Sequence, residues 1–275
     1  MTETQTGMVT VQGAPLYYET RGDGPPLLLI HAGVADSRMW DAQWESLSAE
    51  YRLIRFDMRG WGRSTPPDGP FSHHEDARLL LDHLGIESAH VAGVSFGGRV
   101  AIDFALAYPQ RVRSLILGAP SVGGTEPAPE VEAFGEKEEA YLEAGDLAAA
   151  TQLNVDFWVI GPVRMAYEVD ASVRQSVYEM QHAAFQIALP SNFAPQGLQP
   201  PAADRLSEIR VPTLVMVGDA DQPSVIETAR HVAAAIPKAQ LVIRPNVGHM
   251  VTMERPHEAD AHIGTFLTLY HTASG

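Results

Sequence analysis

The sequence contains no cysteine. That excludes a disulfide framework, a thiolate metal site and a cysteine nucleophile. Basic residues are scarce: 19 Lys and Arg stand against 34 Asp and Glu, a formal net charge of -15. Nucleic-acid binding relies on cations that displace counterions, so no nucleic-acid partner is expected. Anionic membrane surfaces are disfavoured on the same ground. Long hydrophobic runs are missing too. The apolar stretch around Leu27 to Ile30 is far too short to span a bilayer. The segment Met1 to Met8 has neither a basic region nor an apolar one, so no signal peptide is expected and the cytoplasm is the default location.

What is present describes an ordinary globular chain. Its 275 residues are 45% hydrophobic and 19% charged, enough for one large domain with or without an insertion. Short apolar runs alternate with helical patterns, which predicts an α/β layer architecture. Val9–Val11 and Leu16–Tyr18 flank Gly13-Ala14-Pro15 as a hairpin. Leu27–His31, Leu53–Asp57, His90–Val94 and Val112–Leu117 read as strands. Ser72-His73-His74-Glu75 has the form of a capping box that opens a helix ended by Gly85, with His73 and His74 on a solvated first turn. A second helix runs from Phe96 to about Ala107.

From about Ser121 to Pro201 the strand signal stops. Three helical stretches are predicted there, near 130–144, 146–160 and 170–188, with Asp146 and Asp170 as N-caps. Strands resume at Thr213–Val217 and Leu241–Ile243, with helices near 223–235 and 257–270. The pattern is one α/β domain carrying a helical insertion, without internal repeats.

Gly93-Val94-Ser95-Phe96-Gly97 lies between a predicted strand and a predicted helix. A Gly-x-Ser-x-Gly turn in that context forces the serine into a strained backbone and lifts its hydroxyl above the sheet edge. Ser95 is therefore the candidate nucleophile. A serine needs a base, and the base needs an orienting acid. His249 lies in a loop between the last strand and the last helix, where it can reach over the sheet. The other histidines fall mostly in predicted helices or strands. His257 and His262 are spaced badly for shared ligation, so no metal site is expected. Two acids, Asp219 and Asp221, follow the strand that ends at Val217.

In the order Ser, Asp, His the chain resembles the α/β-hydrolase superfamily. Within it, the resemblance is to the group of 3-oxoadipate enol-lactonases, small esterases and cofactor-free haloperoxidases. It extends over residues 8 to 270 or so, and includes Asp57-Met58-Arg59-Gly60-Trp61-Gly62-Arg63-Ser64, a tight loop braced by Asp57 and Arg59. The resemblance implies a mostly parallel eight-stranded sheet flanked by helices, with residues 1–120 and 202–275 as core and 121–201 as a helical cap. The Gly-x-x-Asp pattern, here Gly218-Asp219-Ala220-Asp221, implies Asp221 as the acid and leaves Asp219 to stabilise the turn. The family's other acid position is empty, since Gly118-Ala119-Pro120-Ser121 holds no carboxylate.

For the oxyanion hole the family implies the N–H of Phe96 and a second donor after the His-Gly strand end. Here that segment reads His31-Ala32-Gly33-Val34, which departs from His-Gly and matches Gly33, with Val34 as the alternative. Phe157, Trp158, Met165, Tyr167, Met180, Phe185 and Phe193 make the cap apolar. Trp158, Met165, Phe185 and Met250 are the candidate pocket residues. The expected activity is hydrolysis of a small, largely apolar ester or lactone through an acyl-enzyme, without a cofactor. Perhydrolysis or C–C hydrolysis on the same residues is the alternative chemistry, and a hydrolase-fold receptor the alternative class. A serine in place of an aspartate argues against epoxide hydrolases and haloalkane dehalogenases.

Overall fold

A computed structural model describes residues 3–271. Met1 and Thr2 of the polar N-terminal segment, and the side chain of His271, lie outside the described residues. The hairpin β1 (Gln5–Val11) and β2 (Ala14–Arg21) opens the fold, followed by β3 (Pro26–Ile30), α1 (Asp41–Leu47) and β4 (Arg52–Phe56). Then come β5 (Pro70–Phe71), α2 (His73–His83), β6 (Ala89–Val94), α3 (Phe96–Ala107) and β7 (Val112–Gly118). Next are α4 (Pro129–Glu143), α5 (Leu147–Asn154), α6 (Ala171–Phe185) and β8 (Ala194–Pro195). The chain closes with β9 (Thr213–Gly218), α7 (Pro223–Ala235), β10 (Ala239–Arg244) and α8 (Pro256–His271).

Eight strands form one sheet in the order β1-β2-β4-β3-β6-β7-β9-β10. β2 runs antiparallel to β1 and β4; from β4 to β10 all pairs are parallel. The inner strands are mostly apolar because both faces are covered. Side chains alternate across the sheet. Leu28, Ile30, Val215 and Val217 join one core, while Leu27, Leu29, Leu214 and Met216 join the other. β3 neighbours β4 on one side and β6 on the other. Connections leave in opposite directions there, so a crevice opens at the carboxyl ends of β3 and β6, where open α/β sheets bind ligands.

The segment between β7 and β9 is helical apart from β8. Asp146 and Asp170 cap α5 and α6, accepting from the backbone N–H of Ala149 (3.0 Å) and Ser172 (2.7 Å). Three details differ from the sequence expectation. The stretch 146–160 is α-helical only to Asn154 and then widens into a π-helical turn over Val155–Ile160. A strand does occur in the excursion: β8 pairs with β5 in a two-residue bridge.

The third difference is at Ser72, which makes no capping hydrogen bond with its side chain. Its backbone N–H instead donates to Gln12 Oε1 at 3.0 Å, and Glu75 is drawn to Arg78. His73 is consequently buried, not solvated. It packs edge-on against Phe71 and Phe96, and desolvation pushes its pKa down to about 3. No helix among the described residues is long and apolar enough to cross a membrane.

Candidate active site

Ser95 joins β6 to α3 with φ 55° and ψ -117°. This is a left-handed conformation that a non-glycine residue adopts only when its surroundings impose it. The surroundings are backbone. Ser95 N–H donates to Gly118 O at 2.8 Å, and Ser95 O accepts from Arg99 N–H at 3.1 Å. A Cβ on Gly93 would lie 2.2 Å from Gly97 O, and one on Gly97 would lie 2.3 Å from His31 O. Both positions therefore require glycine, and the turn can close only with this pattern of small residues.

The loop after β3 faces this turn. A Cβ on Gly33 would stand 3.4 Å from Phe96 Cβ. Phe96 opens α3, so its N–H has no acceptor within the helix. His31 fixes the loop from below. Its Nδ1–H donates to Ala32 O at 2.8 Å, while its Nε2 accepts from Met58 N–H at 2.8 Å. Burial pushes the His31 pKa down, consistent with a neutral ring that donates once and accepts once. Asp57 accepts from the N–H groups of Ser37 (3.0 Å) and Arg63 (2.8 Å), and Arg59 pairs with the fully buried Asp76.

Asp221 follows β9 and His249 follows β10. Asp221 Oδ2 accepts from His249 Nδ1–H at 2.9 Å, and both residues are buried. The second oxygen, Oδ1, accepts from Gln222 N–H at 2.7 Å. Asp219 points elsewhere: its Oδ1 accepts from Asn246 N–H at 2.6 Å and so stitches the two loops together. Ser95 and His249 line one cavity of about 300 Å³, together with Trp158. With Nδ1 committed to Asp221, the free nitrogen of the imidazole is Nε2.

The helical excursion supplies the rest. Trp158, on the π-helical turn, lies over the His249 ring with centroids 4.6 Å apart. Gln222 Nε2 donates to Phe157 O at 2.8 Å. Arg164 donates to Val159 O at 2.6 Å and Ile160 O at 2.9 Å, carbonyls left open where the turn ends. It also donates to Glu254 Oε2 at 2.5 Å, while Glu254 Oε1 accepts from Gly248 N–H at 2.9 Å. The residue before His249 is thus tied to the excursion through one buried ion pair.

The four pocket candidates separate. Trp158 lines the cavity with Ser95 and His249, and Phe185 lines a second one that shares Trp158. Met165 does not belong with them: it is 61% exposed on a short turn beyond the π-helix. Nor does Met250, which is fully buried in the core with Val247 and Val251. Its neighbour's ring faces the cavity while its own side chain packs beneath the loop. Sequence reasoning missed Arg164, Glu254, Glu138 and Gln181. Each is a polar residue on or near the excursion; Arg164, Glu254 and Glu138 find partners elsewhere in the chain, so no local motif marks them.

Residues 27–260 match the profile of a family described as the alpha/beta hydrolase family. The chain is 34% identical over 239 residues to "Putative carbamate hydrolase RutD" of Azorhizobium caulinodans, covering 83% of this chain and 85% of the relative. It is 30% identical over 231 residues to a 2-hydroxy-6-oxononadienedioate/2-hydroxy-6-oxononatrienedioate hydrolase of Cupriavidus pinatubonensis, covering 80% and 78%. The solved structure of a thermophilic esterase from Thermogutta terrifontis superposes with a TM-score of 0.80 at 28% identity, covering 98% of this chain and all of that one. The sheet, the crevice and these matches agree, and the chain belongs to the alpha/beta hydrolase family.

Proposed function

We propose that the protein is a serine hydrolase that cleaves a carboxylic ester or lactone through an acyl-enzyme. Residues 1–120 and 202–275 form its core in this reading, and 121–201 its cap. The observation that carries it is the 2.9 Å bond from His249 Nδ1–H to Asp221, beside Ser95 on a common cavity.

The chemistry follows from that arrangement. His249 Nε2 takes the Ser95 proton as Oγ attacks the carbonyl carbon. Asp221 keeps the tautomer and stabilises the imidazolium. The carbonyl oxygen becomes an oxyanion held by the N–H groups of Phe96 and Gly33. The imidazolium returns its proton to the leaving alkoxide as the C–O bond breaks. Water then repeats the sequence on the acyl-enzyme and releases the acid. The carbamate and esterase names of the relatives fit acyl transfer to water. The relative named for a dienedioate favours C–C hydrolysis as the second reading, on the same three residues.

The test is labelling by a fluorophosphonate together with turnover of p-nitrophenyl butyrate and of a vinylogous diketone. Ser95→Ala should lose both labelling and ester turnover. Asp221→Asn should lower kcat by ~10³-fold or more, because the tautomer is lost. Full ester activity in Ser95→Ala would end this reading. Diketone turnover far above ester turnover would favour the second.

A further inference from the structure

The second cavity has a volume of about 350 Å³ and opens beside Gly33 and Val34. Trp158 is a wall of both cavities, and its ring lies 4.6 Å from the His249 ring. Its walls are aromatic: Trp61, Phe134, Trp158, Phe185 and Phe193. Its polar wall residues include Glu138, Asn154 and Gln181. Glu138, on α4, accepts from Asn154 Nδ2 with Oε1 alone. Gln181, on α6, is only 5% exposed; its Oε1 is closed off from the cavity space and has no hydrogen-bond partner among the described residues. Asn154 spends its Nδ2 hydrogens on Glu138 and on Ala150 O.

The charge balance in the cavity is equally one-sided. Arg59 reaches the wall, but its guanidinium is fully buried against Asp76 and offers no free charge. Glu138 is the other ionisable group there. In the cavity that holds Ser95 and His249, the charged residues besides the histidine are Glu126 and Glu227. A carboxylate on the substrate would face the like charge of Glu138, which is costly away from bulk water. An alkyl chain would match the walls yet leave Glu138 without a counter-charge. A primary ammonium offers three donors and no acceptor. It can donate to the Glu138 carboxylate and lie over aromatic faces that attract cations.

We propose that this cavity receives a protonated amine carried on the non-reacting end of the substrate. The inference rests on the ester-hydrolase reading above for its substrate, and it narrows that substrate to amine-bearing esters. Two further observations agree with it. Burial pushes the Glu138 carboxyl above the usual range, as expected of an acid that lacks a cation. The formal charge of -15 raises the local concentration of cations over anions.

The test uses three p-nitrophenyl esters of matched length, made from ε-aminocaproic acid, heptanoic acid and adipic acid as its half ester. The ammonium ester should lead the alkyl ester by ~10-fold in kcat/KM, and the carboxylate ester should trail it by at least as much. Glu138→Gln should bring the ammonium-to-alkyl ratio close to one. A flat or reversed order with Ser95-dependent turnover would overturn the inference and leave the hydrolase reading standing. If none of the three esters turned over, the hydrolase reading would suffer instead. Calorimetric titration of the Ser95→Ala protein with n-hexylammonium and with hexanoate then decides the cavity's preference without chemistry. Tighter ammonium binding, lost in Glu138→Gln, supports it; equal binding or a preference for hexanoate overturns it.

Discussion

Backbone atoms hold the Ser95 turn, whereas side chains reaching in from the helical excursion hold the His249 loop. At the turn, Gly93 and Gly97 let chain segments approach to distances that a Cβ would forbid, and Gly118 O accepts the Ser95 N–H. At the loop, Arg164 ties Glu254 to the end of the π-helical turn and Glu254 ties Gly248 in place. Trp158 adds a ring contact to His249, and Gln222 ties the neighbouring Asp221 loop to the excursion. The turn is a property of the sheet. The loop is a property of two regions packed together, so the position of the base is open to changes in the excursion that the position of the serine does not register.

The largest effect should come from Arg164→Met. Arg164 and Glu254 are both 7% exposed at the side chain. Removing the cation leaves Glu254 buried without a counter-charge and Val159 O and Ile160 O without their donor. The expected cost is about 3–5 kcal/mol, read from urea unfolding. In the surviving folded fraction kcat should fall by ~10-fold or more, since small misplacements of a catalytic base are costly. Arg164→Lys should recover part of both. An unchanged rate would mean that the loop is held by its own backbone after all.

Gly97→Ala attacks the other side. Its Cβ would meet His31 O at 2.3 Å and Ile30 O at 2.4 Å, and neither backbone atom can swing aside. A destabilisation of about 2–3 kcal/mol is expected, with fluorophosphonate labelling lost because the Ser95 turn cannot close. A variant that labels normally would show that the turn has more slack than these distances allow.

The same contrast explains what could be read in the sequence. The strands, the Ser95 turn and the order Ser, Asp, His are local patterns, legible because glycine spacing and apolar runs have direct backbone consequences. The Asp146 and Asp170 caps are legible for the same reason. Ser72 was not, because Gln12, distant in sequence, competes for its backbone and Arg78 for Glu75. Met250 and His249 are adjacent in sequence yet face opposite sides of a loop whose path depends on Glu254. Glu138 and Gln181, which line the aromatic cavity, come from α4 and α6, and nothing in either helix alone announces that they converge.

The Ser95 turn is not without internal opposition. Asp103 lies on α3, 5% exposed, with Oδ1 unpartnered. Desolvation raises its pKa to about 6 from 3.8. A raised carboxyl pKa favours the fold while protonated, so its contribution is complete below about pH 4 and lost as pH rises through about 6. Above that the charged form costs on the order of 2 kcal/mol. Asp103→Asn should therefore raise Tm at pH 8 and leave it nearly unchanged at pH 4. A gain equal at both values would point to packing, not charge.

The smallest effect belongs to Asp219→Ala, and it separates the two neighbouring acids. Asp219 Oδ1 accepts from the N–H of Asn246, a residue held at φ 54°. Losing this bond should cost about 1 kcal/mol, because Ala220 N–H to Val247 O, at 3.0 Å, still joins the loops. The imidazole keeps its bond to Asp221, so ester turnover should fall by no more than a few-fold and its pH profile should not move. The His249 loop would then tolerate a lost stitch near its base but not a lost ion pair with the excursion. A rate loss comparable to that of Asp221→Asn would instead transfer the orienting role to Asp219, and with it the assignment of the acid.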